Sequence, residues 1–365
     1  MFRSAWRSAP LLFAIGLASC GSAAPAPSSV APAASVAVPV ASAKPPSGST
    51  APVASAAPAS KPAASASAGL KPIKLAFVAI STTTLPMWIA QAKDLYKQQG
   101  LDAQVTYVQG STTAIPSLVA GELNIIEAQA AASVQAQLQG QDTVSLATHV
   151  PYADVRLVTA PSIKTMEDLK GKAVAVTKPG TVTDVVARAV LPRYKLTPDK
   201  DVHITYVDTQ PGQLAALQNN AVQAVLVPPP FDETAKKLGF AELLNIRSLN
   251  FPYPTDGVVT THKFLREHPD LVNAYLKAFV QAVRFAPANP EETKKILSAQ
   301  TKQTDAAILD TSYKTQMDDW ANPPVPTIEG IQSLLPLFPG GQGKNPADFI
   351  DPAPLERAIK ELDGK

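Results

Sequence analysis

The chain has 365 residues, with 32 Lys and Arg against 30 Asp and Glu, a formal net charge of +2, 35 prolines and one cysteine. A single cysteine excludes a disulfide framework within the chain and a zinc site built on several thiolates. The near balance of charge, with no stripe of Lys and Arg, argues against nucleic acid as a partner.

Arg3 and Arg7 precede an apolar stretch from Leu11 to Leu17. It is too short to cross a bilayer, which takes about 20 apolar residues, and it has the layout of a secretory signal peptide. Leu17-Ala18-Ser19-Cys20 is similar to a bacterial lipobox. The expectation is that residues 1–20 are a lipoprotein signal peptide and that Cys20 carries the lipid after cleavage. Residues 21–70 are dominated by Ala, Pro and Ser, contain no aromatic residue, and hold only Lys44 and Lys61 as charges. Such a segment buries too little apolar surface to offset its ordering entropy, so it is expected to be a disordered tether.

Composition changes at Lys71. The first acidic residue is Asp94, so all 30 acidic residues and 28 of the 32 basic ones follow the tether, leaving that part near −2. Ile73 to Ile80 is a nearly continuous apolar run, suited to a strand covered on both faces. Pro86 opens a predicted helix carrying Trp88, Ile89, Ala92, Leu95 and Tyr96 on one face, and Gly100 closes it. Ala103 to Val108 reads as a strand, Ser111 to Ala120 as a helix, Asn124 to Ile126 as a short strand, and Val144 to Thr148 as another after a helix ending near Gly140. A second series follows: strand Ala173 to Val176, a helix after Thr181, strand Val202 to Val207, helix Gln213 to Asn220, and strand Ala224 to Val227 ended by Pro228-Pro229-Pro230. A strand near Val258 to Thr261 leads to a long helix from Asp270 to about Phe285. Alternation of this kind predicts an α/β protein with mostly parallel sheets and helices on their faces.

The order and spacing of several elements carry a resemblance. Met166-Glu167-Asp168-Leu169-Lys170-Gly171-Lys172 leads into Ala173–Val176, followed by Pro179-Gly180-Thr181 and Asp184. Ala120-Gly121-Glu122-Leu123, Leu214-Ala215-Ala216-Leu217 and His268-Pro269-Asp270-Leu271-Val272 add to it. Residues 73 to about 300 resemble the NMT1-like, SsuA/THI5-like group of periplasmic solute-binding proteins, which serve ABC importers of sulfonates, nitrate, taurine and pyrimidine precursors. The resemblance implies a two-lobed type II periplasmic-binding-protein fold, a Venus flytrap with a helical C-terminal region. The first lobe would comprise 71–157 with 259–365, and the second 158–258. It also implies a small-molecule ligand between the lobes, an ABC permease as partner, an extracytoplasmic monomer held by its lipid, and no cofactor.

In open α/β sheets ligands bind beyond the carboxyl ends of the strands, and at domain interfaces. The candidates from the first lobe are Ser81 and Thr83, Ser111 and Thr112, and Glu127 and Gln129. Those from the second are Gly180, Thr181, Thr183 and Asp184 in and after the turn that begins at Lys178, with Phe231 and Asp232. Ser111 and Thr181 begin helices, where backbone N–H groups and the dipole favour an anion; Ser and Thr there most commonly serve as caps. Trp88 is assigned to the core by its helical spacing. Glu127 stands where many relatives of this group have an aspartate, an aromatic residue and a glycine at the strand end. A carboxylate there, with Asp184 and Asp232, disfavours a sulfonate or nitrate and leaves room for a zwitterion, an amine or a pyrimidine, unless Glu127 faces solvent or pairs with Lys178. No Gly-x-Ser-x-Gly, His-Glu-x-x-His or phosphate-loop motif is present, and His149, His203, His262 and His268 are scattered. Glu267-His268-Pro269-Asp270 reads as a helix cap by Asp270 in preference to a metal site. A tethered sensor for a membrane signalling partner is the alternative role, with an enzyme of pyrimidine metabolism behind it.

Overall fold

The computed structural model of the protein describes residues 69–249, 252–318 and 320–364. The expected signal peptide, Cys20, and the tether as far as residue 68 lie outside the described residues.

Ten strands form two five-stranded sheets. They are β1 (Lys71–Phe77), β2 (Leu101–Tyr107), β3 (Ile125–Ala128), β4 (Val144–Tyr152), β5 (Arg156–Thr159), β6 (Ala173–Val176), β7 (His203–Tyr206), β8 (Ala224–Val227), β9 (Ala241–Asn245) and β10 (Pro252–Thr260). The first sheet has the order β2-β1-β3-β10-β4 and the second β7-β6-β8-β5-β9. In the first, only β10 runs against its neighbours; in the second, only β5 does. The chain passes from the first sheet to the second through Ala153-Asp154-Val155, and returns from β9 to β10 through the short helical turn Ile246–Leu249.

The continuous apolar runs are explained by helices on both faces. In β1, Ile73 and Leu75 join a core with Trp88 and Ile89 of helix Leu85–Ala92 and with Tyr275, Leu276 and Phe279 of helix Pro269–Ala288. Ala76 faces the other way, toward Ala114, Ile115 and Leu118 of helix Ser111–Val119. In the second sheet, Ala224 and Leu226 of β8 pack with Val186 and Val190 of helix Val182–Val190, while Val225 and Val227 pack with Leu214 and Leu217 of helix Gln210–Gln218. Each buried Val, Leu, Ile or Phe contributes about 1.5–3 kcal/mol, which is how a chain without disulfides holds its fold.

Some elements depart from expectation. The helix at Pro86 does not run to Gly100: it stops at Ala92, Asp94 takes a left-handed conformation (φ 53°), and a single turn, Leu95–Gln98, follows. Aspartate is among the few residues that enter this region at small cost. The strand expected from Val258 begins at Pro252, because register shifts between Pro252 and Gly257 accommodate Pro252 and Pro254. Strand β9 and helix Phe231–Lys237 were not anticipated. The second sheet therefore draws its strands from 156–245, and β10 belongs to the first. Asp270 sits in the first turn of helix Pro269–Ala288, whose capping position is His268.

The C-terminal region is shared between the sheets. Ile331, Leu334, Leu335 and Phe338 pack with Leu157 and Val174 of the second sheet and with Ala130 and Val134 from the first-sheet side. Helix Ala353–Leu362 returns to the first core through Leu355 and Ala358.

Candidate ligand-binding site

The carboxyl ends of the parallel strands in both sheets point at one another, and a narrow cavity of ≈ 40 Å³ lies between their loops. Val78 to Thr83 follow β1, Gln109 and Gly110 follow β2, and Gln129 follows β3. From the other side come Thr177 to Thr183 after β6, Asp208 and Gln210 after β7, and Pro228 after β8. The first crossing between the sheets contributes Asp154 and Val155, and the start of β10 contributes Thr255.

The loops touch across the cavity. Lys178 Nζ donates to the Gln109 carbonyl at 3.2 Å, and the Gln109 amide donates to the Asp208 carbonyl. Thr82 N–H reaches the Pro229 carbonyl at 3.4 Å, and Thr112 Oγ1 the Pro179 carbonyl at 3.5 Å. Gly180 lies against the opposite side as well: a Cβ there would meet Gln135 Oε1 and Thr112 Cγ2, each at 3.2 Å.

Three nine-residue helices, Ser111–Val119, Ala130–Leu138 and Val182–Val190, present their capping residues Gly110, Gln129 and Thr181 to the cavity. None of these caps uses its side chain to bond the helix end, so the leading N–H groups of each helix lack the usual side-chain acceptor. The helix dipoles add partial positive charge where they converge. The remaining lining is mostly hydroxyl and amide. Thr177 Oγ1 bonds Thr181 Oγ1 at 2.7 Å and Thr183 Oγ1 at 2.9 Å, while Thr181 Oγ1 donates to the Lys178 carbonyl at 2.7 Å. On the opposite wall Ser81 Oγ lies 2.9 Å from Thr83 Oγ1.

Five candidates from the sequence line the cavity: Ser81, Thr83, Gln129, Thr181 and Thr183. Ser111 stands behind them, donating to the Gln129 side chain and receiving its backbone N–H. Thr112 and Gly180 meet at the outer edge of the gap between the sheets. The other four are elsewhere. Asp184 turns back on its own loop, accepting from Gly180 N–H and Arg188 Nε, both at 2.8 Å. Phe231 packs in the second sheet's core. Asp232 is buried 3.8 Å from Arg156, which also holds Asp154 at 2.5 Å; burial pushes its carboxyl up to about 6, against the pull of Arg156.

Glu127 neither faces solvent nor reaches Lys178. Strand alternation aims it at helix Pro269–Ala288, where Tyr275 Oη donates to it at 3.3 Å. Burial, reinforced by the nearby charge of Asp256, raises its carboxyl well above the usual range. Glu127 is not part of the cavity wall; the carboxylates that line it are Asp154, paired with Arg156, and Asp208. Lys178, which opens the candidate turn, also lines the cavity; the lining residues that the sequence did not single out include Tyr107, Gln109, Thr177, Asp208 and Gln210. All follow the strand-end rule, and Asp208 with Gln210 would have emerged from applying it to β7. Asp154 and Thr255 become visible only once the strand pairing is known.

Comparison with known proteins agrees with this architecture. A solved structure from Bordetella bronchiseptica RB50 superposes with a TM-score of 0.72 at 20% identity, covering 80% of this chain and 98% of the other. The alkanesulfonate-binding protein SsuA from Xanthomonas axonopodis pv. citri, solved bound to MOPS, gives 0.64 at 16% identity over 77% and 98%. At the level of sequence, a Bacillus subtilis protein whose name proposes aliphatic sulfonates as its ligand is 27% identical over 258 residues, 68% of this chain and 76% of its own. Residues 81–293 match the family described as NMT1/THI5 like. The protein has a periplasmic-binding-protein fold, and by that match over more than half its length it belongs to the NMT1/THI5-like family.

Proposed function

We propose that this protein is the extracytoplasmic solute-binding component of an ABC importer, anchored by a lipid on Cys20, and that it captures a small singly charged anion or a zwitterion of the sulfonate kind between its two sheets. The observation that carries the reading is the convergence of three helix N-termini and a set of hydroxyls on one cavity whose lining, among the described residues, includes no arginine. Such a site stabilises a compact anion through backbone N–H groups and dipoles, and a doubly charged group would lack counter-charge beyond Lys178. Relatives named for sulfonates, and a nitrate-binding protein of the same fold, support that ligand class. Delivery to a permease and a monomeric state are part of the same proposal. No helix among the described residues is long and apolar enough to cross a membrane.

The test is a thermal-shift panel of methanesulfonate, taurine, nitrate and an aminopyrimidine on the full-length protein. An anion present at about 100 times its dissociation constant adds about 2.7 kcal/mol to stability by mass action. The reading expects a clear rise for a sulfonate or nitrate, and a response to the aminopyrimidine alone would reverse it. Fatty-acid labelling that disappears in Cys20→Ala checks the anchor.

A further inference from the structure

The two cavity hydroxyls on the first-sheet side do not end at the cavity. Ser81 Oγ lies 2.9 Å from Thr83 Oγ1, which lies 2.8 Å from Asp256 Oδ2; the other oxygen, Oδ1, accepts the Gly257 N–H at 2.9 Å. All three side chains are buried. Each hydroxyl has one proton to give, so the direction of the whole chain is set at its inner end. If Asp256 is ionised, Thr83 must donate to it and can only accept from Ser81. The Ser81 proton is then consumed, and Ser81 shows the cavity lone pairs alone. If Asp256 carries a proton on Oδ2, it donates to Thr83, Thr83 donates to Ser81, and Ser81 is left with a proton aimed at the ligand.

We propose that Asp256 is a positioning residue that sets the hydrogen-bond polarity of the cavity through Thr83 and Ser81, so that an anion is captured together with one proton from solvent. This rests on the reading of the cavity as an anion site. The proton goes to Asp256 Oδ2, and no other bond changes.

The surroundings permit the switch. From β3, Glu127 faces Asp256 with its own buried carboxyl; from helix Pro269–Ala288 comes Tyr275, with Tyr96 behind it. From β4, His149 donates through Nε2 to the Thr83 carbonyl at 2.6 Å, and burial pushes its imidazole down to about 4, so it is uncharged at neutral pH. With no cation to hold it ionised, the Asp256 carboxyl is pushed by burial up to about 7, against the Thr83 and Gly257 donors.

The experiment is calorimetric titration of the full-length protein with methanesulfonate, taurine and nitrate at about pH 5.5, 7 and 8.5, each in two buffers of different ionisation enthalpy to count protons. The proposal expects affinity to fall by up to about tenfold per pH unit above the point where Asp256 titrates, with uptake of about one proton per anion there. Asp256→Asn offers a donor to Thr83 and an acceptor to Gly257 permanently. It should bind the anion with no pH dependence and no proton uptake. Thr83→Val, which breaks the chain at its middle, should flatten the profile too, and melting curves of both variants without ligand establish that they fold. Wild-type binding that is flat with pH and proton-free overturns the proposal while leaving the anion reading intact, as does an unchanged slope in Asp256→Asn. Failure of all three anions to bind wild type and Asp256→Asn at about pH 5.5 overturns the anion reading, and the proposal with it.

Discussion

Glu127 shows how much a single side-chain direction decides. The stretch Asn124-Ile125-Ile126-Glu127 announces a polar residue at the end of a buried strand, but strand alternation offers two faces and the sequence does not say which one meets the cavity. Helix Pro269–Ala288, distant in sequence, supplies Tyr275 and encloses the carboxyl. Asp184 lies away from the cavity wall for a related reason: its partners Gly180 and Arg188 are close in the chain and satisfy it locally. The place of Thr181 and Thr183 on the cavity wall was legible because a strand end followed by a hydroxyl-rich turn and a helix is a local pattern. The buried state of Glu127 carries a consequence for stability. Its folded pKa lies above the unfolded value, so its contribution is fully present below about pH 4 and is lost as pH rises toward the folded value. Glu127→Gln should therefore fold, and should gain stability relative to wild type as pH is raised from about 5 to about 8.5. Urea unfolding at several pH values measures this; a stability difference that stays constant with pH would show that Glu127 titrates normally.

At the level of elements, most of the α/β alternation was readable because the central strands β1, β3, β6 and β8 are short, largely apolar runs buried between helices. Ala173–Val176 and Ala224–Val227 fall where the pattern puts them. Pro252 and Pro254 concealed the start of β10, since strand propensity counts against proline while a bulged pairing tolerates it. The turn after β6 offers a test that separates local strain from interlobe contact. Gly180 has φ +74° and lies against Thr112 and Gln135 of the opposite side, whereas Gly171 has φ +71° with nothing within 4 Å of a would-be Cβ. Alanine at either position incurs a left-handed strain of about 1 kcal/mol. Only Gly180→Ala should also lower ligand affinity, by severalfold, because its methyl group crowds the approach of the loops. Equal affinities for the two variants in titration would mean that this contact does not take part in closure.

For the whole molecule, two sheets joined by two short crossings, with loops already in contact over a cavity of ≈ 40 Å³, describe a closed arrangement. A ligand enters such a cavity only if the loops separate first, and it favours the closed form by its differential affinity. The resemblance to a two-lobed binding protein was legible from the order of motifs. The sharing of residues 328–350 between both sheets was not, because it depends on packing between segments nearly two hundred residues apart. The central claim, capture of an anion between the lobes, is tested most directly by small-angle scattering of the full-length protein with and without a saturating anion from the panel. The account predicts a smaller radius of gyration in the bound state, with a bound profile over the folded part that matches the closed arrangement. Saturating, tight binding with an unchanged radius of gyration, in a protein whose affinity is also unaffected by Gly180→Ala, would contradict it.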